Sequence, residues 1–357
     1  MGFYCISSKN FPAFIDELIH QQSVIAPQLV QSKPYNPSSS EFFSFSLLKK
    51  ASNLRLDYDT TILPPKKVFF PPQQVLLSFK NGEFQAVLDL YETILFGVHP
   101  YDLLAIEQTD FLFSDKYEDI HYTAQRQLTT IIGSNIQRSA EHSFFSSMNA
   151  NVKPSTHDGF ITKIADTYIY EVLTGKAGNL LKYGQFTDAS QQQIDLAVKE
   201  NERVKSKSHL NYSADEIKQG LEKSYADLEL WEQLAKSCYA CGSCNTSCPT
   251  CYCFNIEDKW HIDQISGERT RYWDSCMTED FAKISLGPGK SGEAQTENFR
   301  PTTGARMRHR LMRKMVYLND KLGTQACVGC GRCATSCTAD IADPVNIINT
   351  VMEKYHD

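Results

Sequence analysis

The sequence Cys238-Tyr-Ala-Cys241-Gly-Ser-Cys244-Asn-Thr-Ser-Cys248 is matched in spacing by Cys327-Val-Gly-Cys330-Gly-Arg-Cys333-Ala-Thr-Ser-Cys337. Both runs follow the pattern C-x₂-C-x₂-C-x₃-C, in which three thiolates bind three iron atoms of one [4Fe–4S] cluster. In proteins with two such runs, the fourth cysteine of each run binds the other cluster. The spacing therefore predicts two [4Fe–4S] clusters, one held by Cys238, Cys241, Cys244 and Cys337 and the other by Cys327, Cys330, Cys333 and Cys248. A chain with two such clusters is expected to carry electrons.

Zinc ligation and disulfide formation suit these cysteines less well than iron. Structural zinc sites usually take their cysteines from separate pairs, whereas here four cysteines fall within eleven residues, twice. A disulfide framework suits short secreted chains, but this chain has 357 residues and begins without the basic and apolar regions of a signal peptide. Twelve cysteines in such a chain indicate a reducing compartment, and we expect the protein to be cytoplasmic.

The overall composition is globular, with 41% hydrophobic and 22% charged residues and enough length for two domains. The net charge of −6 argues against a nucleic-acid partner, which would require a basic surface. No apolar stretch is long enough to span a bilayer, so we expect no direct membrane insertion. Glycine-rich nucleotide motifs, a P-loop and a Cys-x-x-Cys-His haem motif are also missing from the sequence, and no residue is predicted to be catalytic.

Residues 1–184 contain a single cysteine, Cys5, and show the pattern of a mixed α/β domain that would serve as a scaffold or docking surface. Asn10 precedes a predicted helix over residues 11–20, with its apolar residues on one side. Asn81-Gly82 predicts a hairpin, because both residues tolerate positive φ. Strands are predicted at Val68–Phe70, Val75–Phe79, Thr93–Val98, Leu128–Gly133 and Ile161–Val172.

A polar stretch over residues 185–212 predicts a joint, and residues 213–357 the second domain. Ser213-Ala-Asp-Glu216 is a capping box, which opens a helix predicted to continue through Leu234. A basic helix is predicted over Arg306–Leu322, ending at Gly323. Because the cysteine runs have helical surroundings, we expect an α-helical ferredoxin-like domain with two clusters, and an α+β fold class overall.

Four cysteines remain after the eight ligands are assigned: the isolated Cys5, which is expected to be inert, and the spare cysteines Cys251, Cys253 and Cys276. The spare cysteines are either additional iron ligands or buried thiols that pack as small hydrophobic groups. The segment between the runs is basic, which fits a solvated helix face, a surface for an acidic partner, or screening of cluster charge. Its basic residues are Arg269, Arg271, Arg300, Arg306, Arg308, Arg310, Arg313 and Lys314.

Further motifs along most of the chain resemble one family. They are Thr61-Ile-Leu-Pro-Pro-Lys-Lys67, Phe96-Gly-Val-His99 with Asp102, Cys248-Pro-Thr-Cys251-Tyr-Cys253, Arg271-Tyr-Trp273-Asp-Ser275-Cys276 and Asn298-Phe299-Arg300-Pro. With the cysteine runs, these motifs are similar to the beta (iron–sulfur) subunit of cytosolic sulfhydrogenase-type NiFe hydrogenases, and also to the iron–sulfur electron-transfer subunit of anaerobic sulfite reductase. The resemblance implies a non-catalytic electron-transfer subunit that joins hydrogenase subunits or, alternatively, sulfite reductase subunits to a flavin/NAD(P)-binding diaphorase subunit. His99 and Asp102 are expected to stabilise a turn rather than to react.

One departure from the family pattern concerns a third cluster. The resemblance implies a cysteine inside the Gly-Val-His-x-x-Asp motif and three more after the following strand. Here Pro100-Tyr101 takes the first place, and residues 133–148 contain no cysteine. We therefore predict that a third cluster is absent.

Two further alternatives stay open at this point, namely an enzyme acting directly at a cluster through the spare cysteines and a purely structural iron–sulfur protein.

Overall fold

The computed structural model describes residues 2–30, 41–148, 154–288 and 294–356. Within them the strands are β1 (Gly2–Ser7), β2 (Ser23–Leu29), β3 (Phe43–Leu47), β4 (Gln73–Lys80), β5 (Glu83–Ala86), β6 (Thr93–Val98), β7 (Thr129–Ser134), β8 (Gly159–Ile164), β9 (Thr167–Val172), β10 (Thr187–Asp188), β11 (Phe254–Trp260), β12 (Ser266–Trp273), β13 (Lys283–Pro288) and β14 (Ala294–Asn298).

The α-helices are α1 (Phe11–Gln21), α2 (Pro100–Ser114), α3 (Ile120–Leu128), α4 (Gly175–Gly178), α5 (Gln191–Arg203), α6 (Ala214–Lys223), α7 (Leu228–Leu234), α8 (Ser243–Thr246), α9 (Thr303–Met312), α10 (Asn319–Leu322), α11 (Arg332–Thr335) and α12 (Pro344–Tyr355). A π-helix, Arg313–Tyr317, lies between α9 and α10. Among the described residues, no helix combines the length and the apolar character that a membrane crossing requires.

The chain divides into two compact units. The first contains Met1–Phe70, Asp89–Lys207 and Val328–Cys330, and the second contains Pro71–Leu88, Ser208–Cys327 and Gly331–Asp357. The α+β fold class is thereby confirmed, because each unit has its own helices and its own strands.

The first unit is built on a mixed sheet with the strand order β10-β1-β9-β8-β7-β6-β2-β3. Its central strands β2, β6, β7 and β8 pair in parallel, whereas the outer pairs are antiparallel. Helix α1 presents Phe14, Ile15 and Leu18 to a core that includes Ile94 and Ile132 of the central strands. Every residue of β6 is buried, as expected of a strand covered on both faces.

The second unit combines helices with two small antiparallel sheets. One sheet has the order β11-β12-β4-β5, and the other pairs β13 with β14. Helix α6 packs on α12, and α7 packs on α9. Each cysteine run contains a short helix, α8 in the first run and α11 in the second, and these two helices contact each other. Strands β11 to β14 lie between the two runs in sequence, where only a basic helix was predicted, whereas β4 and β5 come before the first run.

Several local predictions are confirmed. Helix α1 covers the predicted residues 11–20, and β4, β6 and β7 cover three predicted strands. The hairpin turn has positive φ at Asn81 (53°) and at Gly82 (81°). Ser213 and Glu216 form both hydrogen bonds of the capping box of α6. The predicted end of the basic helix at Gly323 is confirmed, with a φ of 67°, but the helix is not continuous: α9, the π-helix and α10 follow one another, with Leu318 outside them.

Three local predictions are wrong. The strand predicted at Val68–Phe70 does not form. Pro65–Val68 is a 3₁₀-helix, because Pro65 favours a helical first turn, and Phe70 N–H then bonds to the Lys66 carbonyl. The strand predicted over 161–172 is two strands, β8 and β9, which are separated by a turn with Ala165 at a φ of 43°. The helix after Ser213 breaks at residues 224–226, and Asp227 caps a new helix by accepting a hydrogen bond from Leu230 N–H.

Candidate iron–sulfur site

The two cysteine runs share one backbone conformation. Ala240 and Gly242 in the first run have φ angles of 54° and 77°, and Gly329 and Gly331 at the same positions of the second run have 67° and 80°. In each run the second left-handed residue precedes a four-residue helix, α8 or α11. Left-handed residues in turns of this kind can bring successive backbone N–H groups together, and such an arrangement suits an anionic cluster.

The two runs are joined by a serine network. Ser247 and Ser336 occupy the same position in their runs, and their hydroxyl oxygens are 2.8 Å apart. The Ser247 hydroxyl also donates to the Ser243 carbonyl at 2.9 Å. This contact places the fourth cysteine of each run, which follows the serine directly, beside the other run.

A cavity in the second unit is bordered by Cys238, Cys241, Cys244 and Cys337. It measures about 460 Å³ including its open mouth, and the side chains of Met277, Met307 and Ile341 supply apolar walls. Three of the cysteines come from the first run and the fourth comes from the second, which is the set predicted for one cluster. Four thiols around one cavity are a donor set that fits a [4Fe–4S] cluster. Burial raises the pKa of the Cys244 thiol to about 12, so that metal binding there would release a proton.

The other four cysteines of the runs are placed less uniformly. Cys333 is buried and Cys248 is half-buried, and burial raises the pKa of Cys333. Cys330 is buried and lies with Val328 in an apolar cluster of the first unit, together with Tyr101 and Leu104. Among the described residues, no group of three or more His, Cys, Asp or Glu side chains is already drawn close enough to hold a single metal ion, and this includes the four cysteines around the cavity. The first set of predicted ligands shares a cavity, whereas the second set shares none that the structure shows in the described part of the chain. The assignment of these four cysteines therefore depends on their spacing.

Two of the spare cysteines lie together. Cys276 is buried, accepts a hydrogen bond from Asn245 Nδ2 at 3.1 Å, and forms another with Cys253. The bond with Cys253, the bond from Asn245 and the charges of Arg310 and Lys314 outweigh burial and lower the pKa of Cys276 to about 6. Cys276 therefore contacts Asn245, which directly follows the predicted ligand Cys244 in the first cysteine run.

Two cations are buried next to the cysteines. Arg310 on α9 is 5% exposed, and its Nε donates to Asn245 Oδ1 at 3.0 Å. Lys314 in the π-helix is 8% exposed, and its Nζ donates to Thr250 Oγ1 at 2.6 Å. A solvated helix face is therefore excluded for these two residues and for Arg306, which is also buried.

The charges that face these cations are those of cysteines. Burial alone would lower the pKa of Arg310, but negative charge on Cys244, Cys333, Cys248 and Cys251 raises it above its usual range. Burial likewise opposes the charge of Lys314, and negative charge on Cys248, Cys251 and Cys327 raises its pKa. Thiolates at these positions and the two cations therefore stabilise each other.

Sequence reasoning missed the polar residues that hold these groups. Thr246-Ser247-Cys248 and Thr335-Ser336-Cys337 repeat the same three residues, which is a signal for the serine contact. Arg306, Arg310 and Lys314 recur every four residues, which places them on one helix face. Asn245 and Thr250 carry no signal beyond their closeness to ligand cysteines.

Of the three tryptophans, Trp231 is buried and donates to the Ser224 carbonyl, whereas Trp260 is 64% exposed.

His99 is placed as a structural residue. Its ring is buried and stacks on Tyr58 at 3.8 Å between centroids, and its Nδ1 lies 2.8 Å from Tyr101 Oη. Its carbonyl accepts hydrogen bonds from Asp102 N–H and Leu103 N–H, which begin α2. These contacts agree with a role in the turn before α2, and the absence of a catalytic role stays a prediction.

Comparison with known proteins agrees with this geometry. Residues 237–341 match the family model described as a 4Fe-4S dicluster domain, and this range contains all eight cysteines of the two runs. The chain is therefore an iron–sulfur protein that binds [4Fe–4S] clusters and acts in electron transfer. Over 361 aligned residues it is 29% identical to sulfhydrogenase 2 subunit beta of Pyrococcus furiosus, covering 99% of each chain. The resemblance to the beta subunit of sulfhydrogenases is thus confirmed. No solved structure matches this chain.

Proposed function

We propose that this protein relays electrons through two [4Fe–4S] clusters between a NiFe hydrogenase and a flavin/NAD(P)-binding diaphorase subunit. The observation that carries the proposal is the cavity that Cys238, Cys241 and Cys244 share with Cys337 of the other run. Crossed ligation of this kind is expected of a two-cluster module. The partners are inferred from the likeness to a sulfhydrogenase beta subunit, which extends over nearly the whole chain. Because twelve cysteines suit a reducing compartment, we place the complex in the cytoplasm.

In this proposal the thiolates of Cys238, Cys241, Cys244 and Cys337 hold the first cluster, and those of Cys327, Cys330, Cys333 and Cys248 hold the second. Bound clusters of this type accept and release single electrons. Two features of the chain support this placement. Left-handed residues recur at the same positions of both runs, and the Ser247–Ser336 contact joins the runs. Methionine and isoleucine side chains supply the apolar lining of the first site.

The full-length protein, purified without oxygen, is expected to contain about eight iron atoms per chain, the content of two cubane clusters. Dithionite reduction should give two EPR signals, and purification from its natural source should retain partners that carry flavin and nickel. About twelve iron atoms would instead reveal a third cluster. Sirohaem in the purified complex would assign the relay to a sulfite reductase, and turnover of substrate by the isolated chain would show an enzyme rather than a relay.

Replacement of Cys276 by alanine is expected to leave the iron content at about eight atoms per chain, because this thiol contacts Asn245 and Cys253 rather than the cavity. Iron determination on the anaerobic variant checks this. Cys5→Ala is the matched control, since Cys5 contacts Thr187 in the first unit. A loss of about four iron atoms in Cys276→Ala alone would assign the spare cysteine to a cluster.

A further inference from the structure

Arg310 and Lys314 are buried cations with neutral hydrogen-bond partners. Arg310 donates to the Asn245 side-chain amide and Lys314 to the Thr250 hydroxyl. Within the described part of the chain, neither cation pairs with a carboxylate. Burial of a charge is costly unless an opposite charge lies close to it. The fold therefore needs negative charge at this place. The neighbouring groups that can carry it are cysteine thiolates, which include the spare cysteine Cys276 besides the predicted cluster ligands.

The two cations lie beside different ligand cysteines. Arg310 lines the cavity bordered by the first ligand set, and it forms a hydrogen bond with Cys333 of the second set. Lys314 donates to Thr250 Oγ1, which lies 3.4 Å from Cys248 Sγ of the second set. Negative charge on Cys248 and on the spare cysteine Cys251 acts on both cations. Arg310 thus faces both proposed clusters, whereas Lys314 faces the second.

We propose that Arg310 and Lys314 are built-in counter-charges that raise the reduction potentials of the two clusters, Arg310 acting on both and Lys314 chiefly on the second. The inference rests on the proposed two-cluster function. Each one-electron reduction adds one negative charge to a cluster, so a fixed nearby cation stabilises the reduced form more than the oxidised form. The effect is strong because both cations are shielded from water, and because their hydrogen bonds to Asn245 and Thr250 hold them in place.

Lys314 lies four residues after Arg310, on the same face of the helical segment, in the π-helix that follows α9. Lys314 and the following Met315 are buried, whereas Arg313 stays half-exposed. Arg313 points elsewhere, with its guanidinium 5.5 Å from the ring centre of Tyr252. Of the two adjacent cations, only Lys314 is therefore assigned a role in setting a potential.

The test is a redox titration of the anaerobic full-length protein, followed by EPR. Lys314→Met keeps the length of the side chain and removes its charge. It is expected to lower the equilibrium constant for reduction of the second cluster at least tenfold, which corresponds to a fall of about 59 mV in the reduction potential of a one-electron couple. The first cluster should change less. Arg310→Met should lower both potentials. The EPR signals are assigned with Cys241→Ala, which removes a ligand of the first cluster only.

Lys321→Met is the matched control, because Lys321 on α10 is exposed and its charge is screened by water. It should leave both potentials unchanged. Lys314→Arg, which keeps the positive charge, should leave the second potential close to that of the unaltered protein. If Lys314→Met loads no iron, Thr250→Val replaces it: the charge remains but its anchor is lost, and a smaller fall in the second potential is expected. Unchanged potentials in Lys314→Met, or in its substitute, would overturn the inference while the two-cluster function stands. Absence of clusters from the unaltered protein would refute the function itself.

Discussion

Alanine in place of Cys337 is expected to abolish the cluster of the first cysteine run, although Cys337 belongs to the second run. The reason is the cavity that Cys337 shares with Cys238, Cys241 and Cys244. Alanine offers no ligand atom, so the iron content should fall from about eight to about four atoms per chain. The EPR signal that disappears should be the one that also disappears in Cys241→Ala.

The comparison with Cys333→Ala decides between crossed and local ligation. Cys333 lies in the same run as Cys337, only four residues away, but is assigned to the other cluster. Cys333→Ala should therefore remove the signal that Cys337→Ala retains, and Cys5→Ala should remove neither. If Cys337→Ala and Cys333→Ala lose the same signal, each run holds its own cluster and the ligand assignment is wrong.

The features that sequence predicted well are those encoded by neighbouring residues. Cysteine spacing, the Ser213 capping box and the Asn81-Gly82 turn each depend on fewer than a dozen consecutive residues, and local geometry dictates their form. The resemblance added the function, because motifs such as Arg271-Tyr-Trp273 are too short to be interpreted by physical rules alone.

The features that sequence could not predict depend on distant pairing or on burial. Strand β4 follows directly on the first unit in sequence, yet it pairs with β12, nearly two hundred residues later, and neither strand carries a signal for the other. Val68-Phe69-Phe70 is a short apolar run, which suits a strand or a buried helical turn equally. The burial of Arg310 and Lys314 contradicts the usual exposure of charged residues, and only the cysteines around them explain it.

Gly329→Ala is expected to destabilise the protein strongly and to release iron from the second cluster. Gly329 has a φ of 67°, and an added Cβ would lie 2.6 Å from Phe145 N and 2.7 Å from Phe144 C, which are backbone atoms that cannot rotate away. The left-handed conformation costs roughly 1–2 kcal/mol and the overlap roughly 1–3 kcal/mol more. Because Phe144 N–H also bonds to the Gly329 carbonyl, the strain moves a segment that includes Cys330. Denaturant unfolding followed by circular dichroism, with iron determination, measures both effects.

Gly323→Ala separates the two contributions, because Gly323 has the same φ of 67° and no atom within 4 Å of an added Cβ. It should cost only about 1–2 kcal/mol and leave the iron content unchanged. The first run supplies a natural precedent, since Ala240 occupies the position of Gly329 with a φ of 54°. An alanine is therefore compatible with the backbone of a cysteine run, and the close approach of Phe144 and Phe145 is what requires glycine in the second. Equal losses of stability in Gly329→Ala and Gly323→Ala, with iron retained in both, would show that the close contact of Phe144 and Phe145 with Gly329 does not constrain Cys330.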